Sequence, residues 1–212
     1  MKIIKPPLLK EGDTIGILAP SGAMDDDTNL KRAITFFENR GYKIKLSNNV
    51  YSKERYLAGS DKERLDAVHK MFTDKSVNAI ICLRGGYGAI RLINKIDYDL
   101  IRKNPKIFCG YSDITALNAM FLKRAGLVTY SGPMILSDFG QESLNEYTVS
   151  KFFETVCGGK FDYEGTFWGG NLATLVSLCG QDFIPDFEFT LFLEDLNEPP
   201  YKIDKMVTQL FN

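Results

Sequence analysis

Ser112 stands in the run Ile107-Phe108-Cys109-Gly110-Tyr111-Ser112-Asp113-Ile114, where an apolar stretch of strand length passes without a spacer into a helix-period stretch that stops at Gly126. A hydroxyl at such a junction lies at the carboxyl edge of a sheet and at the positive end of a helix, and both favour a developing alkoxide or oxyanion. The chemistry this points to is nucleophilic attack on a carbonyl. The same residues also spell an ordinary helix start, since serine followed by aspartate before an apolar run is a common N-cap. A Gly-x-Ser-x-Gly elbow is incomplete here, because Ile114 occupies the place of the second glycine. Cys109 offers another nucleophile, but it falls inside the predicted strand.

Groups that could assist such a serine are scattered along the chain. The glycines of Arg84-Gly85-Gly86-Tyr87-Gly88 would let backbone amides approach an oxyanion closely, and they also fit a plain tight turn into a helix. Arg84 has the planar fork that suits a substrate carboxylate, or it braces its own turn. Glu194, Asp195 and Glu198 form an acidic strand end in which Glu194 could orient a base. Trp168 is the one tryptophan and lies beside Gly169, which suits a substrate platform or packing against the first domain. His69 is the one histidine, and its place near the apolar edge of a capped helix reads as structural, so a Ser-His-acid triad lacks its base. Cys82, Cys109, Cys157 and Cys179 show no C-x-x-C spacing and are expected to be reduced core thiols, with no metal or cofactor framework.

The elements that must position these groups alternate. Strands are expected at 14–19, 42–46, 79–83, 107–111 and 127–130, with helices at 27–40, from the Ser60-Asp61-Lys62-Glu63 capping box through Phe72, at 89–96 and from Ser112 to Gly126. This β/α alternation with short links predicts a parallel sheet with helices on both faces, whose functional groups belong on the loops at the carboxyl ends of the strands. Ala19-Pro20-Ser21, residues 84–88 and residues 110–113 fall there. Past about Ser143 the character changes, with a helix to Val156, a glycine-rich passage at 165–171, a helix at 172–178, a strand at 189–193 and a helix from Ile203. The expected division is an N-terminal domain at 1–145 and a second, incomplete α/β domain at 146–212.

Composition narrows the function class. With 212 residues, 44% of them hydrophobic, and a net charge of -1 from 26 basic and 27 acidic residues, the chain can bury a large core and shows no basic stripe for nucleic acid or membrane. Prolines at 6 and 7 interrupt any leader core, and no apolar stretch approaches the ~18 residues that span a bilayer, so a cytoplasmic protein with a small-molecule or peptide partner is expected.

Taken together, the segments resemble the LD-carboxypeptidase family of serine peptidases, which includes muramoyltetrapeptide carboxypeptidases and the microcin C immunity peptidases. The matching residues are Ala19-Pro20-Ser21, the run from Arg55 to Arg64, Arg84-Gly-Gly-Tyr-Gly-Ala89, Gly110-Tyr-Ser-Asp-Ile-Thr-Ala116, Ser131-Gly-Pro-Met134, Trp168-Gly-Gly-Asn-Leu172, Phe192-Leu-Glu-Asp195 and the run from Tyr201 to Leu210. The resemblance implies a flavodoxin-like N-terminal domain, a nucleophile at Ser112, a triad acid at Glu194 and oxyanion amides at Asp113 and Gly86. It also implies a metal-independent, homodimeric, cytoplasmic enzyme that removes terminal D-alanine from the L,D-linked tetrapeptide of recycled peptidoglycan. The family's histidine lies downstream of the Leu-Glu-Asp motif, and this sequence ends before it, so the 212 residues are expected to be an inactive fragment of a longer enzyme. The other readings are a non-catalytic muropeptide-binding remnant and an immunity peptidase acting on a peptidyl-nucleotide.

Overall fold

The structure, a computed structural model, describes residues 2–159 and 165–212. β1 (Thr14–Leu18), β2 (Lys43–Leu46), β3 (Ala79–Cys82) and β4 (Ile107–Cys109) form a parallel sheet in the order β2-β1-β3-β4. β3 is apolar throughout and wholly buried, as a central parallel strand must be, whereas β2 alternates exposed lysines with half-buried Ile44 and Leu46 at the edge. Tyr130 supplies a single parallel bridge to Cys109 beyond β4, which extends the order in the flavodoxin-like sense. A strand was expected over 127–130. It is reduced to bridges because Leu127 pairs instead with Ile4, whose amide donates to the Gly126 carbonyl at 2.7 Å.

The pleat divides the core in two. Leu18, Ile80, Cys82 and Phe108 point to one face, where they meet α2 (Asp61–Thr73), α3 (Tyr98–Lys103) and α4 (Thr115–Met120). Ile15, Ile17, Ile81 and Ile107 point to the other, against α1 (Thr28–Glu38) and α5 (Glu146–Cys157). Phe37 and Phe72 are fully buried on opposite faces, each worth roughly 2–3 kcal/mol of hydrophobic stabilisation. α2 starts with the expected capping box, in which the Ser60 hydroxyl accepts from the Glu63 amide and the Glu63 carboxylate accepts from the Ser60 amide.

The continuous helix expected over 89–96 is absent. Only a 3-10 turn forms at Ala89–Arg91, and Asp97 starts α3 afresh by accepting from the Leu100 amide at 2.9 Å. Burial of Leu92, Ile93 and Ile96 against the sheet outweighs the helical periodicity between them. The helix after Ser112 is continuous but mixed: a 3-10 turn at Ser112–Ile114, then α4, then a π turn at Phe121–Ala125 closed by left-handed Gly126.

β5 (Phe167–Asn171), α6 (Leu172–Ser177) and β6 (Thr190–Glu194) make a second unit, its two strands parallel, followed by α7 (Pro200–Phe211). β5 lies in the glycine-rich passage at 165–171, where the sequence predicts no strand. No helix among the described residues is long and apolar enough to cross a membrane.

Candidate active site

Ser112 has a φ of 60°, a left-handed conformation that an L residue adopts only under constraint. It therefore is not the N-cap that its local sequence allows: the residue that precedes the 3-10 turn is Tyr111, and no side chain caps it. The bend is the strand-to-helix elbow, and Gly110 explains how it closes without a second glycine. A Cβ on Gly110 would lie 2.9 Å from the Ile114 Cγ2 and 3.1 Å from the Cys82 Cβ, so Ile114 folds into the space that the first glycine leaves open.

The loop after β3 meets this elbow. A Cβ on Gly85 would stand 3.1 Å from Ser112 Oγ and 3.6 Å from the Asp113 amide nitrogen, so the hydroxyl, that amide and the glycine turn share one small space. Gly86, at a φ of 115°, is exposed beside it. The Asp113 side chain is buried, where it accepts from the Ser21 hydroxyl at 2.5 Å and the Ala89 amide at 2.8 Å. Ser21 comes from the loop after β1, so the three loops picked out at the carboxyl edge do meet.

Glu194 arrives from the second unit. It pairs across the β5-β6 ladder with Asn171, whose amide donates to the Thr115 hydroxyl at 3.1 Å, three residues past Ser112. Burial raises the Glu194 pKa, with Asp195 adding to the effect against a hydrogen bond from Asn171. Its Oε1 is buried without a hydrogen-bond partner among the described residues. Its acidic neighbours are engaged elsewhere: Asp195 accepts from the Ala173 amide at 3.0 Å, and Glu198 pairs with Lys202 at 3.3 Å. Glu198 Oε2 also lacks a hydrogen bond among the described residues, so what distinguishes Glu194 is its ladder partner Asn171, whose amide reaches Thr115 just past the elbow.

The remaining candidates separate. Arg84 is half-buried at the loop edge, where its Nη1 donates to the Ala23 carbonyl at 3.1 Å. Trp168 is 7% exposed and packs edge-on to Phe189, at 5.0 Å between ring centres. It also lines a cavity of about 1010 Å³ together with Phe167, Phe192, Asn118 and Tyr130, whose walls include neither Ser112, Gly86 nor Glu194. His69 Nε2 accepts from the Asp97 amide at 3.0 Å and so is spent on the start of α3. Cys109 is buried, its thiol pushed up by desolvation and donating to the Pro133 carbonyl at 3.5 Å, which leaves it unfit as a nucleophile. Cys82 is buried likewise, whereas Cys157 and Cys179 are exposed, against the expectation of four core thiols.

Sequence reasoning passed over Arg64 as a functional residue. It is fully buried, yet it sits on the same helical stripe as Ala67, Val68 and Met71. The signal was there to read: an arginine three and four residues before buried apolar positions must find carbonyls or carboxylates inside the fold.

Residues 15–132 match the family described as LD-carboxypeptidase N-terminal domain, and residues 164–212 match LD-carboxypeptidase C-terminal domain. The chain belongs to the LD-carboxypeptidase family. A Bacillus subtilis relative named "Probable murein peptide carboxypeptidase" is 40% identical, with the alignment covering 97% of this chain and 69% of that protein. The solved structure of a muramoyltetrapeptide carboxypeptidase from Oxalobacter formigenes is 36% identical with a TM-score of 0.84, covering 93% of this chain and 71% of its own. A MccF-like protein from Bacillus anthracis superposes with a TM-score of 0.91 at 32% identity, covering 98% of this chain and 76% of its own. This LD-carboxypeptidase family member is thus assigned to the carboxypeptidases, with the expected parallel α/β architecture.

Proposed function

We propose that this chain carries the nucleophile and the triad acid of a serine-type LD-carboxypeptidase that releases D-alanine from a murein tetrapeptide. The observation that supports it best is the strained elbow at Ser112, with a φ of 60° and the Gly85 turn against its hydroxyl. Ser112 Oγ attacks the carbonyl that joins an L-configured diamino-acid centre to D-alanine, forming the C–O bond as its proton passes to an imidazole. That imidazole belongs to a histidine in the part of the family's length that this chain, spanning 69% of the Bacillus subtilis relative, does not cover. Glu194, with its unsatisfied Oε1, orients the ring. The amides of Asp113 and Gly86 hold the oxyanion, a contribution of roughly 3–4 kcal/mol per donor in comparable sites. Collapse of the tetrahedral adduct breaks the C–N bond and the imidazolium gives its proton to the leaving amine. Water then hydrolyses the acyl ester.

Arg84 keeps guanidinium donors beyond the one on Ala23 and is assigned to the terminal carboxylate, with Trp168 as a substrate contact from the second unit. The same reading carries a cytoplasmic place in peptidoglycan recycling and a homodimeric assembly, as the family resemblance implies.

The test is release of D-alanine from an L,D-linked tetrapeptide by the full-length gene product and by its Ser112→Ala variant. Turnover by the parent and its loss in the variant are expected, and D-alanine release by Ser112→Ala would refute the assignment. The 212 residues alone should turn over little or nothing, because triad members act as a unit. The likeness to the MccF-like protein supports a second reading, cleavage of a peptidyl-nucleotide. Competition between an aminoacyl sulfamoyl nucleoside and the tetrapeptide separates the two.

A further inference from the structure

Arg64 lies on α2, outside the loops that carry the candidate site, and its side chain has no exposure to water. Its Nη1 donates to two carbonyls, Pro20 and Gly88, each at 2.8 Å, while Nε donates to Gly59 at 3.3 Å and Nη2 to the Asp61 carboxylate at 2.6 Å. The residue after Pro20 is Ser21, and the residue after Gly88 is Ala89. These two are the donors that converge on the Asp113 carboxylate. The hydrogen bonds therefore close a ring that runs from Arg64 through Pro20 and Ser21 to Asp113, and back through Ala89 and Gly88. A buried cation and a buried anion stand at its opposite poles.

The ring adjoins the turn that faces the nucleophile. The Gly22 amide, next after Ser21, donates to the Gly85 carbonyl at 3.1 Å, and Gly85 abuts Ser112. Space for the guanidinium is reserved: a Cβ on Gly88 would lie 3.0 Å from Arg64 Nη1. Stability alone does not call for this arrangement. Desolvating a guanidinium is costly, and well-packed apolar side chains commonly replace buried ion pairs at no loss of stability. A charge kept at this place is explained by orientation of the loops it holds.

We propose that Arg64 is a positioning residue, which with Asp113 closes a hydrogen-bonded ring through three loops and so fixes the Gly86 and Asp113 amides against Ser112 Oγ. The inference rests on the reading of Ser112 as nucleophile and of those amides as oxyanion donors. Ser21 is its mildest point of attack, since Ser21→Ala removes one hydroxyl and opens the ring on the side opposite the guanidinium. Arg64→Lys keeps the charge but lacks the planar fork that serves Pro20, Gly88 and Asp61 together.

The experiment compares the full-length gene product with Ser21→Ala, Arg64→Lys and the double variant. It measures kcat and KM on the L,D-linked tetrapeptide at a temperature well below each melting midpoint, and amide hydrogen exchange at Gly22 and Ala89. Expected are kcat values lower by about 10- to 100-fold, the scale of a displaced oxyanion donor, with KM within about threefold. The double variant should be no worse than the poorer single, because either change opens the same ring. Exchange at Gly22 and Ala89, whose amides are held by Gly85 and Asp113, should quicken by at least about tenfold. Unchanged kcat in a folded Ser21→Ala protein, or losses confined to KM, would overturn the proposal. If the parent itself releases no D-alanine, the tetrapeptide reading has failed, and exchange still decides the ring: faster exchange at Gly22 and Ala89 supports it, and unaltered exchange refutes it.

Discussion

An ionised carboxylate held partly out of water costs the fold free energy, and Glu194 is such a group. Burial raises its folded pKa above the unfolded value, so the fold favours the protonated acid and the penalty is borne where Glu194 is charged. Replacing it with the neutral isostere should therefore stabilise the 212-residue chain at pH 7. The gain of Glu194→Gln over the parent should shrink as pH falls through the folded pKa and vanish below the unfolded one, near 4.3. Urea midpoints measured between pH 7 and 4 check this, and a variant less stable than the parent at pH 7 would contradict it. An acid kept at a cost to stability is typical of a functional position. Its partners explain why the sequence showed only part of this. Three acidic residues within five positions looked alike, and only the fold engages Asp195 with the Ala173 amide and Glu198 with Lys202. Ser112 is legible as a junction, but the choice between cap and elbow depends on its backbone angle, which accompanies the close packing of Ile114 over Gly110.

At the scale of elements, β5 is the piece that delivers the second unit to the elbow. It reads poorly as a strand because Gly169 and Gly170 lack the side chains that favour pleated structure. Both have φ near 150°, and a Cβ on Gly169 would fall 1.7 Å from the Phe192 carbonyl oxygen of β6. The ladder thus requires a bare backbone at that step, for a reason that lies in another strand. Gly169→Ala should break the β5-β6 pairing and destabilise the second unit by more than about 2 kcal/mol, from strain and collision together. Trp168 is the sole tryptophan and is buried on β5, so its emission should shift to the red. Far-UV dichroism should retain the bands of the first sheet. Unchanged emission would show that the strand tolerates the methyl group. The first sheet was far more legible, because β1, β3 and β4 carry apolar runs at strand length and their parity matches the two core faces. Residues 89–96 misled because buried turns reuse apolar spacing that also suits a helix.

Across the whole molecule, the carboxyl edge of the sheet is stitched to α2 by charge. Asp61, at the first position of α2, accepts from Arg64 at 2.6 Å, from Arg91 at 2.7 and 3.0 Å and from Lys95 at 3.1 Å. The Arg91 hydrogen bonds, with Lys95 and the charge of Arg64 assisting, hold the Asp61 pKa down to about 2. The folded value lies below the unfolded one, so the stabilisation is present above about pH 4 and is lost as pH falls through about 2. Other carboxylates titrate over the same range, Asp74 with Lys45 among them, so the parent alone cannot isolate this contribution. The difference between parent and Asp61→Asn can. It should be greatest near pH 6, on the order of 2 kcal/mol for hydrogen bonds to charged groups, and should close progressively from pH 4 to pH 2. A difference that stays constant across that range would mean that Asp61 acts through its shape at the helix start and not through its charge. If instead the gap closes on schedule while exchange at 85–89 also quickens in Asp61→Asn at pH 6, the same ion cluster that stabilises the fold also steadies the loops around Ser112.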